Sequence, residues 1–583
     1  MSEPHLSLAA ATATLTSAGQ LFETERQVVR GIEMSVWKHA PGNLREVLNL
    51  SLRHGEREFL IYGSQRITFD EHFRIAATLS HRLRDDGVEA GDRVAIASRN
   101  LPSWVSAFWG IVSAGAIAVP LNAWWTTEEL RYGLADSGTR VAFVDEERLD
   151  RVWPLLDELD HLTTVVVMSD VPGQVRALSP HTRVQILSFD EYLGSVDQAI
   201  TPVDIAIDAD DDATMFYTSG TTGHPKGAIG THRNVVTNLM NLFFIGQRST
   251  LRLGDDGDHA IPAGPSANLL NIPLFHATGC LAVMVVCTAS GGKLVMTHHF
   301  DPGEALAIIE RERITTIGGV PTVVMQILDH PDFSNYDVSS VRLVSYGGAP
   351  APPELVRRIR SAFNLAQPGN GYGLTETAAA VALNTGPDYV ERPTSCGTVV
   401  PVCEVAVVPD GYEGEEPPTM NDPGVVGELW IKGPNVVRGY WNKPEETARS
   451  FTAGWLHTGD VARIDEEGFI YIVDRAKDVI IRGGENVYSV IVEAALFEHP
   501  DVADCAVIGL PHPTLGEEVA AVVVLRPGRQ IRAEELSKHV THRLARFEIP
   551  TKYFFRGEPL PRNPQGKVLK RALREALLRV SSD

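Results

Sequence analysis

The sequence predicts an α/β fold: a large N-terminal domain of αβ-layered subdomains followed by a small α+β C-terminal domain. Three observations lead there. At 583 residues the chain is longer than one hydrophobic core organises, and its 44% hydrophobic and 22% charged residues are those of an ordinary globular protein. Short β-branched runs alternate with amphipathic stretches along most of it, the pattern of buried parallel strands joined by helices. The last hundred residues carry a smaller strand–helix pattern of their own.

Taken in order, the first 45 or so residues are rich in Ala, Thr and Ser, then read as helical, and carry no recognisable chemistry. Residues 93–97, 140–144 and 163–167 read as strands bounded by turn signals. Residues 101–127 hold no charge and are long enough to span a bilayer. Pro102, Gly110, Gly115 and Pro120 interrupt them, so they are expected as a buried helix running into a strand at 116–119. Asp301 and Pro302 supply an N-cap and first-turn proline for a helix over 304–313. A strand at 314–317 follows, ending at Gly318-Gly319, then a strand at 341–346, a turn at 347–350 and a helix over 353–363. Polar stretches at 255–265 and 410–424 read as surface loops. The C-terminal pattern gives a helix at 491–498, strands at 505–508 and 519–525, a helix at 533–544 and a final basic helix. We place the domain boundary at 474–478, which gives domains 1–475 and 476–583.

The net charge of -22, from 52 basic and 74 acidic side chains, repels nucleic acid and anionic membranes at long range. No nucleic-acid partner and no integral membrane segment are expected, and any phosphate-bearing ligand needs local positive groups. Cys280, Cys287, Cys396, Cys403 and Cys505 form no Cys-x-x-Cys pair, and their odd number argues against a disulfide framework. They read as reduced core residues of a cytoplasmic protein. Near the N-terminus Glu3 stands where a signal peptide would be basic, so none is expected.

The most informative segment is Tyr217-Thr-Ser-Gly-Thr-Thr-Gly-His-Pro-Lys-Gly227 behind a strand at 213–217. Gly220, Gly223 and Gly227 free the backbone to aim its N–H groups at one point, while Thr218, Ser219, Thr221 and Thr222 add hydroxyl donors. Together they make a phosphate cradle, with Lys226 supplying charge. It is not a Walker loop, because Lys226 precedes the last glycine. Four further segments stand out: Gly347-Gly-Ala349 at a strand end, Asn370-Gly-Tyr-Gly-Leu-Thr-Glu-Thr377, Trp455-Leu-His-Thr-Gly-Asp460 with Asp474-Arg475, and Pro561-Arg-Asn-Pro-Gln-Gly-Lys-Val-Leu-Lys-Arg571.

These segments, in this order, resemble the motifs of the adenylate-forming superfamily, which includes acyl-CoA and aryl-CoA synthetases, and the resemblance runs from about Asn43 to Leu577. It implies ATP, Mg²⁺ and coenzyme A as cofactor and co-substrates. By that match the ATP site comprises the cradle with Thr218 and Lys226, then Gly348 and Ala349 at the adenine edge, and Tyr372, whose ring faces adenine beside Gly373. Thr375 is expected at the α-phosphate and Glu376 on the metal, while Asp460 and Arg475 bind the ribose. Lys567 is implied as the lysine that binds the substrate carboxylate and α-phosphate; Lys567, Glu376 and Thr218 are the candidate catalytic residues. His276, in Pro273-Leu-Phe-His276, and Gly347 are implied in the wall of the acyl pocket; no acid–base role is given to His276. Lys477 matches the hinge about which the small domain turns, and Gly484 and Glu485 the loop that faces coenzyme A. The family shows Tyr-Pro-x-Glu-(Val/Ile)-Glu directly afterwards, whereas this chain has Ser489 for the proline and Ile491 for the first glutamate.

The resemblance implies an ATP-dependent carboxylic acid–CoA ligase working through an acyl-adenylate. Small residues at Gly318-Gly319, Ala349 and Ala378-Ala-Ala380 lean the expected substrate toward a medium- or long-chain fatty acid or another bulky apolar acid. The alternatives are an acyl-AMP ligase loading a carrier protein, an aryl-CoA ligase, and a non-catalytic nucleotide-binding protein. Such carrier-loading ligases usually bear an extra segment near the hinge, and 477–493 shows none. Nothing in the sequence fixes the oligomeric state, and a homodimer is compatible with it.

Overall fold

A computed structural model describes residues 6–169, 180–218, 224–253, 265–348, 353–418, 423–562 and 567–580. Ser219, Gly220, Thr221, Thr222, Gly223 and Ala349 of the expected site lie outside the described residues, as does most of 255–265.

Two large sheets dominate the N-terminal part. The first runs Lys226–Thr231, Asp212–Thr218, Ile117–Leu121, Arg93–Ala97, Val141–Asp145, Thr164–Met168, Gln185–Ser188. Its neighbours are parallel except for the antiparallel pair at the Lys226 edge. Val141–Asp145 and Thr164–Met168 are buried at every position, which is why they read as continuous apolar runs without alternation. The second sheet runs Ala382–Thr385, Gln367–Tyr372, Leu343–Gly347, Thr316–Gly319, Ala267–Leu270, Lys293–Met296, Glu58–Tyr62, Gln65–Thr68. Its interior is parallel and both edges are closed by an antiparallel strand.

The uncharged stretch around residue 110 folds as expected, into the buried helix Pro102–Ser113 and the strand Ile117–Leu121. Among the described residues no helix is long and apolar enough to cross a membrane. Asp301 caps Pro302–Glu312, its side chain accepting from the Glu304 amide at 2.8 Å.

A third, antiparallel sheet carries Gly397–Thr398, Phe469–Arg475, Trp455–Ile464, Gly427–Lys432 and Glu404–Val408. After the short helical turn Ala476–Asp478 every described strand belongs to a separate sheet, ordered Glu485–Val487, Ile480–Arg482, Gly516–Leu525, Val502–His512, with Lys552–Arg556 pairing Gly516–Leu525 farther along the side that meets Ile480–Arg482. The chain is thus a large N-terminal and a small C-terminal unit.

Two expectations are corrected. Beyond the helix Leu8–Leu15, the N-terminal segment is a β-hairpin, Thr24–Val29 against Ile32–Trp37. Its turn residues Arg30 and Gly31 both take positive φ, 51° and 80°, the geometry that matches strand twist in a two-residue turn. Met34 and Val36 are buried while Glu33 is exposed and Ser35 half-exposed, a short period-two signal, broken by buried Trp37, that a helical reading overlooks. The C-terminal pattern also lacked the hairpin at 480–487 and the strand Lys552–Arg556. The first is only three residues a side, and the second is only partly buried, so neither stands out as an apolar run.

Candidate active site

Ends of strands from all three N-terminal sheets meet the small domain at one place. Lys226 opens its strand opposite Thr218. Its ammonium lies 4.3 Å from the centre of the Tyr440 ring, and the Tyr440 hydroxyl donates to Glu376 Oε1 at 2.8 Å. One aromatic side chain therefore joins the cation of the first sheet to the carboxylate that follows the second, a cation–π contact backed by a hydrogen bond.

The turn that carries Glu376 is strained and tightly held. Ala378 and Ala379 take φ of 52° and 102°, a conformation that costs non-glycine residues of order 1–3 kcal/mol each and persists only where surroundings impose it. Here they do: Asn238 Oδ1 accepts from the Ala380 amide at 2.9 Å, and Asn435 donates to the Thr377 carbonyl at 3.0 Å. The Val437 amide donates to the Glu376 carbonyl at 2.9 Å. Gly373 makes the turn possible, since a Cβ there would lie 1.5 Å from the Ala379 carbonyl oxygen. Ala378 and Ala380 are core residues of this turn, so their smallness is explained by close packing before any pocket is invoked.

The third sheet adds Asp460, opposite Arg475 in register. Its carboxylate receives Arg475 Nε at 2.6 Å and the Tyr372 hydroxyl at 2.7 Å. Burial pushes the Asp460 carboxyl up from its usual range, while Arg475 and Tyr372 pull it back. Tyr372 is half-buried, fixed through its hydroxyl.

Into this cluster the small domain delivers Lys567. Its Cε lies 3.8 Å from where a Cβ on Gly348 would sit, and Gly348 has φ 74°, open to glycine alone without strain. The Lys567 ammonium is drawn below the usual lysine range by burial and by the charges of Arg475 and Lys477, against the opposing pull of Asp460 and Glu376. A lysine that feels two cations and two carboxylates at once is poised for an anionic group.

His276 precedes a π-helical segment, Thr278–Met284, a form that recurs at functional positions. Burial, with the Lys567 charge nearby, holds His276 neutral, its pKa down to about 3, so it offers no proton near neutrality. Its neighbour Phe275 meets the half-exposed Trp124 edge-on at 5.2 Å. Gly318 has only ordinary contacts around a notional Cβ and leaves space beside Ile272, whereas Gly347 is a glycine because a side chain would strike the Gly371 carbonyl at 2.5 Å.

Thr375 sits on the same short turn as Glu376. Lys477 lies exposed in the turn between the domains. Gly484 and Glu485 stand at the solvent-exposed tip of the hairpin, with open space around Gly484. The structure thus brings Lys226, Gly348, Tyr372, Gly373, Thr375, Glu376, Asp460, Arg475 and Lys567 to one locus, and leaves the loop of Gly484 at the surface.

Sequence reading missed the supports. Tyr132 donates to the Pro225 carbonyl at 3.0 Å and stacks on His224 at 4.5 Å. Tyr217 donates to Asp136 at 2.8 Å, which Lys443 also holds at 3.2 Å. These anchor both flanks of 219–223. Tyr440, between Gly439 and Trp441, was the one with a visible signal: an aromatic pair behind a glycine.

Among the described residues no group of three or more His, Cys, Asp and Glu could hold a metal. A lone carboxylate such as Glu376 nevertheless fits Mg²⁺, which keeps most of its shell as water and substrate phosphate oxygens.

The sequence pattern of the AMP-binding enzymes matches residues 50–441, and that of their C-terminal domain matches residues 491–567. This chain belongs to the AMP-binding enzyme family. It is 36% identical over 515 residues to a feruloyl-CoA synthase of Amycolatopsis, covering 88% of this chain and 94% of that one. With a long-chain-fatty-acid–CoA ligase of Bacillus subtilis it shares 34% over 543 residues, 90% of this chain and 92% of the other. Among solved structures, an anthranilate CoA ligase in complex with anthranoyl-AMP superposes with a TM-score of 0.80 at 25% identity, covering 92% and 98% of the two chains. The overall fold of this AMP-binding enzyme therefore recurs in the anthranilate CoA ligase, and its sequence relatives are named for feruloyl and for long-chain fatty acids.

Proposed function

We propose that the chain is an ATP-dependent carboxylic acid–CoA ligase that forms an acyl-adenylate and passes the acyl group to coenzyme A. The observation that carries this reading is the placement of Lys567 beside Gly348, within reach of the fields of Asp460, Arg475 and Glu376. A protein that only bound nucleotide would have little use for a half-buried lysine brought from a second domain to that point.

In the first step a carboxylate oxygen of the acid attacks the α-phosphorus, a P–O bond forms, the bridging bond to the β-phosphate breaks, and pyrophosphate leaves. Negative charge builds on the phosphoryl oxygens, where Lys567 and Lys226 stand as fixed cations. Mg²⁺ held by Glu376 would supply charge neutralisation at the phosphates. Asp460 and Arg475 orient the ribose, and Tyr372 presents its ring to the base. In the second step the thiolate of coenzyme A attacks the acyl carbon and AMP departs. No side-chain nucleophile is needed, and His276, held neutral by burial, serves as pocket wall.

The acid we propose is a bulky apolar one, a medium- or long-chain fatty acid or an aryl acid. The space at Gly318, the edge-on pair Trp124–Phe275 and the neutral His276 support an apolar pocket, and relatives named for both acid classes support the same breadth. The test is acid-dependent pyrophosphate release from Mg·ATP with acids from acetate to palmitate plus cinnamates and benzoates, with and without coenzyme A. Acyl-CoA formed best from a bulky apolar acid is the expected result. Acyl-AMP that accumulates despite coenzyme A would shift the acceptor to a carrier protein, and preference for acetate would overturn the substrate class.

A further inference from the structure

Where the family pattern has proline, Ser489 is fully buried at the start of the helix Ser489–Phe497. Both of its polar groups are used. The amide donates to Asp474 Oδ2, and the hydroxyl donates to Asp474 Oδ1 at 3.1 Å while accepting from Lys570 Nζ at 2.6 Å. Lys570 also pairs with Glu493 Oε1 at 2.8 Å, an oxygen that accepts the Val507 amide at 2.8 Å.

These partners stand on opposite sides of the inter-domain turn. Asp474 is 2% exposed and belongs to the strand Phe469–Arg475 of the third sheet, next to the arginine that pairs with Asp460. Ser489, Glu493 and Lys570 all follow Lys477, and Lys570 lies three residues beyond Lys567. A rotation of the small domain that withdraws Lys567 would carry Ser489 and Lys570 with it and would load their contacts at Asp474. Proline at this position would have neither the N–H nor the hydroxyl, so the three Ser489 hydrogen bonds would not exist.

We propose that Ser489 is a positioning residue that latches the small domain onto Asp474 in the arrangement that places Lys567 in the site, and so favours adenylate formation over acyl transfer. The inference rests on the two-step reading above. Substitution by proline is compatible with the helix, because the first helical position tolerates a missing N–H, and it removes the latch without demanding a new backbone.

The test uses the full chain with Ser489→Pro, Ser489→Ala and Ser489→Thr. Three rates are compared: acid-dependent ATP–pyrophosphate exchange, transfer to coenzyme A from acyl-adenylate supplied ready-made, and tryptic cleavage after the exposed Lys477 without substrates. Exchange is expected to fall about tenfold or more in Ser489→Pro, the weight of a hydrogen bond to a charged group. Ser489→Ala should be intermediate, and Ser489→Thr near the parent. Transfer should hold or rise, and cleavage should quicken in the order Thr, Ala, Pro. Exchange and transfer falling together, or cleavage indifferent to all three changes, overturns the latch. Absence of exchange in the parent with every acid would count against the ligase reading, while the cleavage series would still decide for or against the latch.

Discussion

Lys567 concentrates the chemistry at the scale of single residues. Its ammonium sits below the usual lysine range because burial and the neighbouring cations Arg475 and Lys477 outweigh Asp460 and Glu376. The protonated form is the one an anion needs, and a depressed pKa means that form is lost as pH rises through a value lower than that of a free lysine. The profile of adenylate formation by the free enzyme should therefore carry a basic limb below the 10.5 of an ordinary lysine. In Lys567→Arg that limb should move out of the accessible range, and rate measurements from pH 7 to 10 on both chains check it. Lys567→Ala should lower pyrophosphate exchange by about 10²–10³-fold, the scale of one lost donor to a developing charge, and leave transfer from supplied acyl-adenylate unchanged. Tyr440→Phe frees Glu376 from its hydroxyl donor. It is expected to weaken Mg²⁺ binding severalfold, seen as a higher half-saturating Mg²⁺ concentration, because Glu376 is then less fixed.

At the scale of elements, the turn after Tyr372 is where local strain and site geometry coincide. Gly373→Ala would drive a methyl group into the Ala379 carbonyl and force apart the turn that carries Glu376. A loss of several kcal/mol of stability is expected if the turn cannot shift. If it does shift, exchange activity should drop with the melting temperature nearly kept. Thermal unfolding and exchange, measured on the same preparation, separate the two.

The same turn shows what was legible beforehand. Tyr372, Thr375 and Glu376 stood out because a glycine-flanked octapeptide matches a family motif, and Asp460 with Arg475 for the same reason. Asn238 and Asn435 did not, because each lies far from the turn in sequence and acts only through a fold that brings it back; Tyr440 shows an aromatic pair behind a glycine, but its link to Glu376 also needs the fold. Strands buried on both faces, such as Val141–Asp145, were visible as apolar runs. The hairpin at 24–37 was not, because half of its residues face solvent and its composition suits either period. Ser489 was visible as a departure from a pattern, but its meaning needed Asp474 and Lys570 placed beside it.

For the whole molecule, the question is how a single cleft serves two steps. The small domain has its own sheet and core, and the chain enters it through the exposed turn Ala476–Asp478. Gly484 lies at an exposed hairpin tip while Lys567 is in the cleft, an arrangement suited to the first step. On the proposed two-step reading, presenting the Gly484 loop to an adenylate would take a rotation of the small domain, with Lys477 as its proposed hinge. Lys477→Pro, which fixes φ at that turn, should leave pyrophosphate exchange within a few-fold of the parent and lower thioester formation by about tenfold or more. Normal thioester formation in this variant would remove Lys477 from the role of hinge.

One further property follows from where the sulfur atoms are. All five cysteines are free and buried, and burial raises every one of their thiols, those of Cys287 and Cys403 to about 12. A mixed anhydride held in the cleft is an acylating agent, and thiolates are the side chains it would modify fastest. On the proposed reading, sulfurs that are buried and held protonated would offer such an anhydride no internal thiolate, leaving the incoming thiol without a competitor.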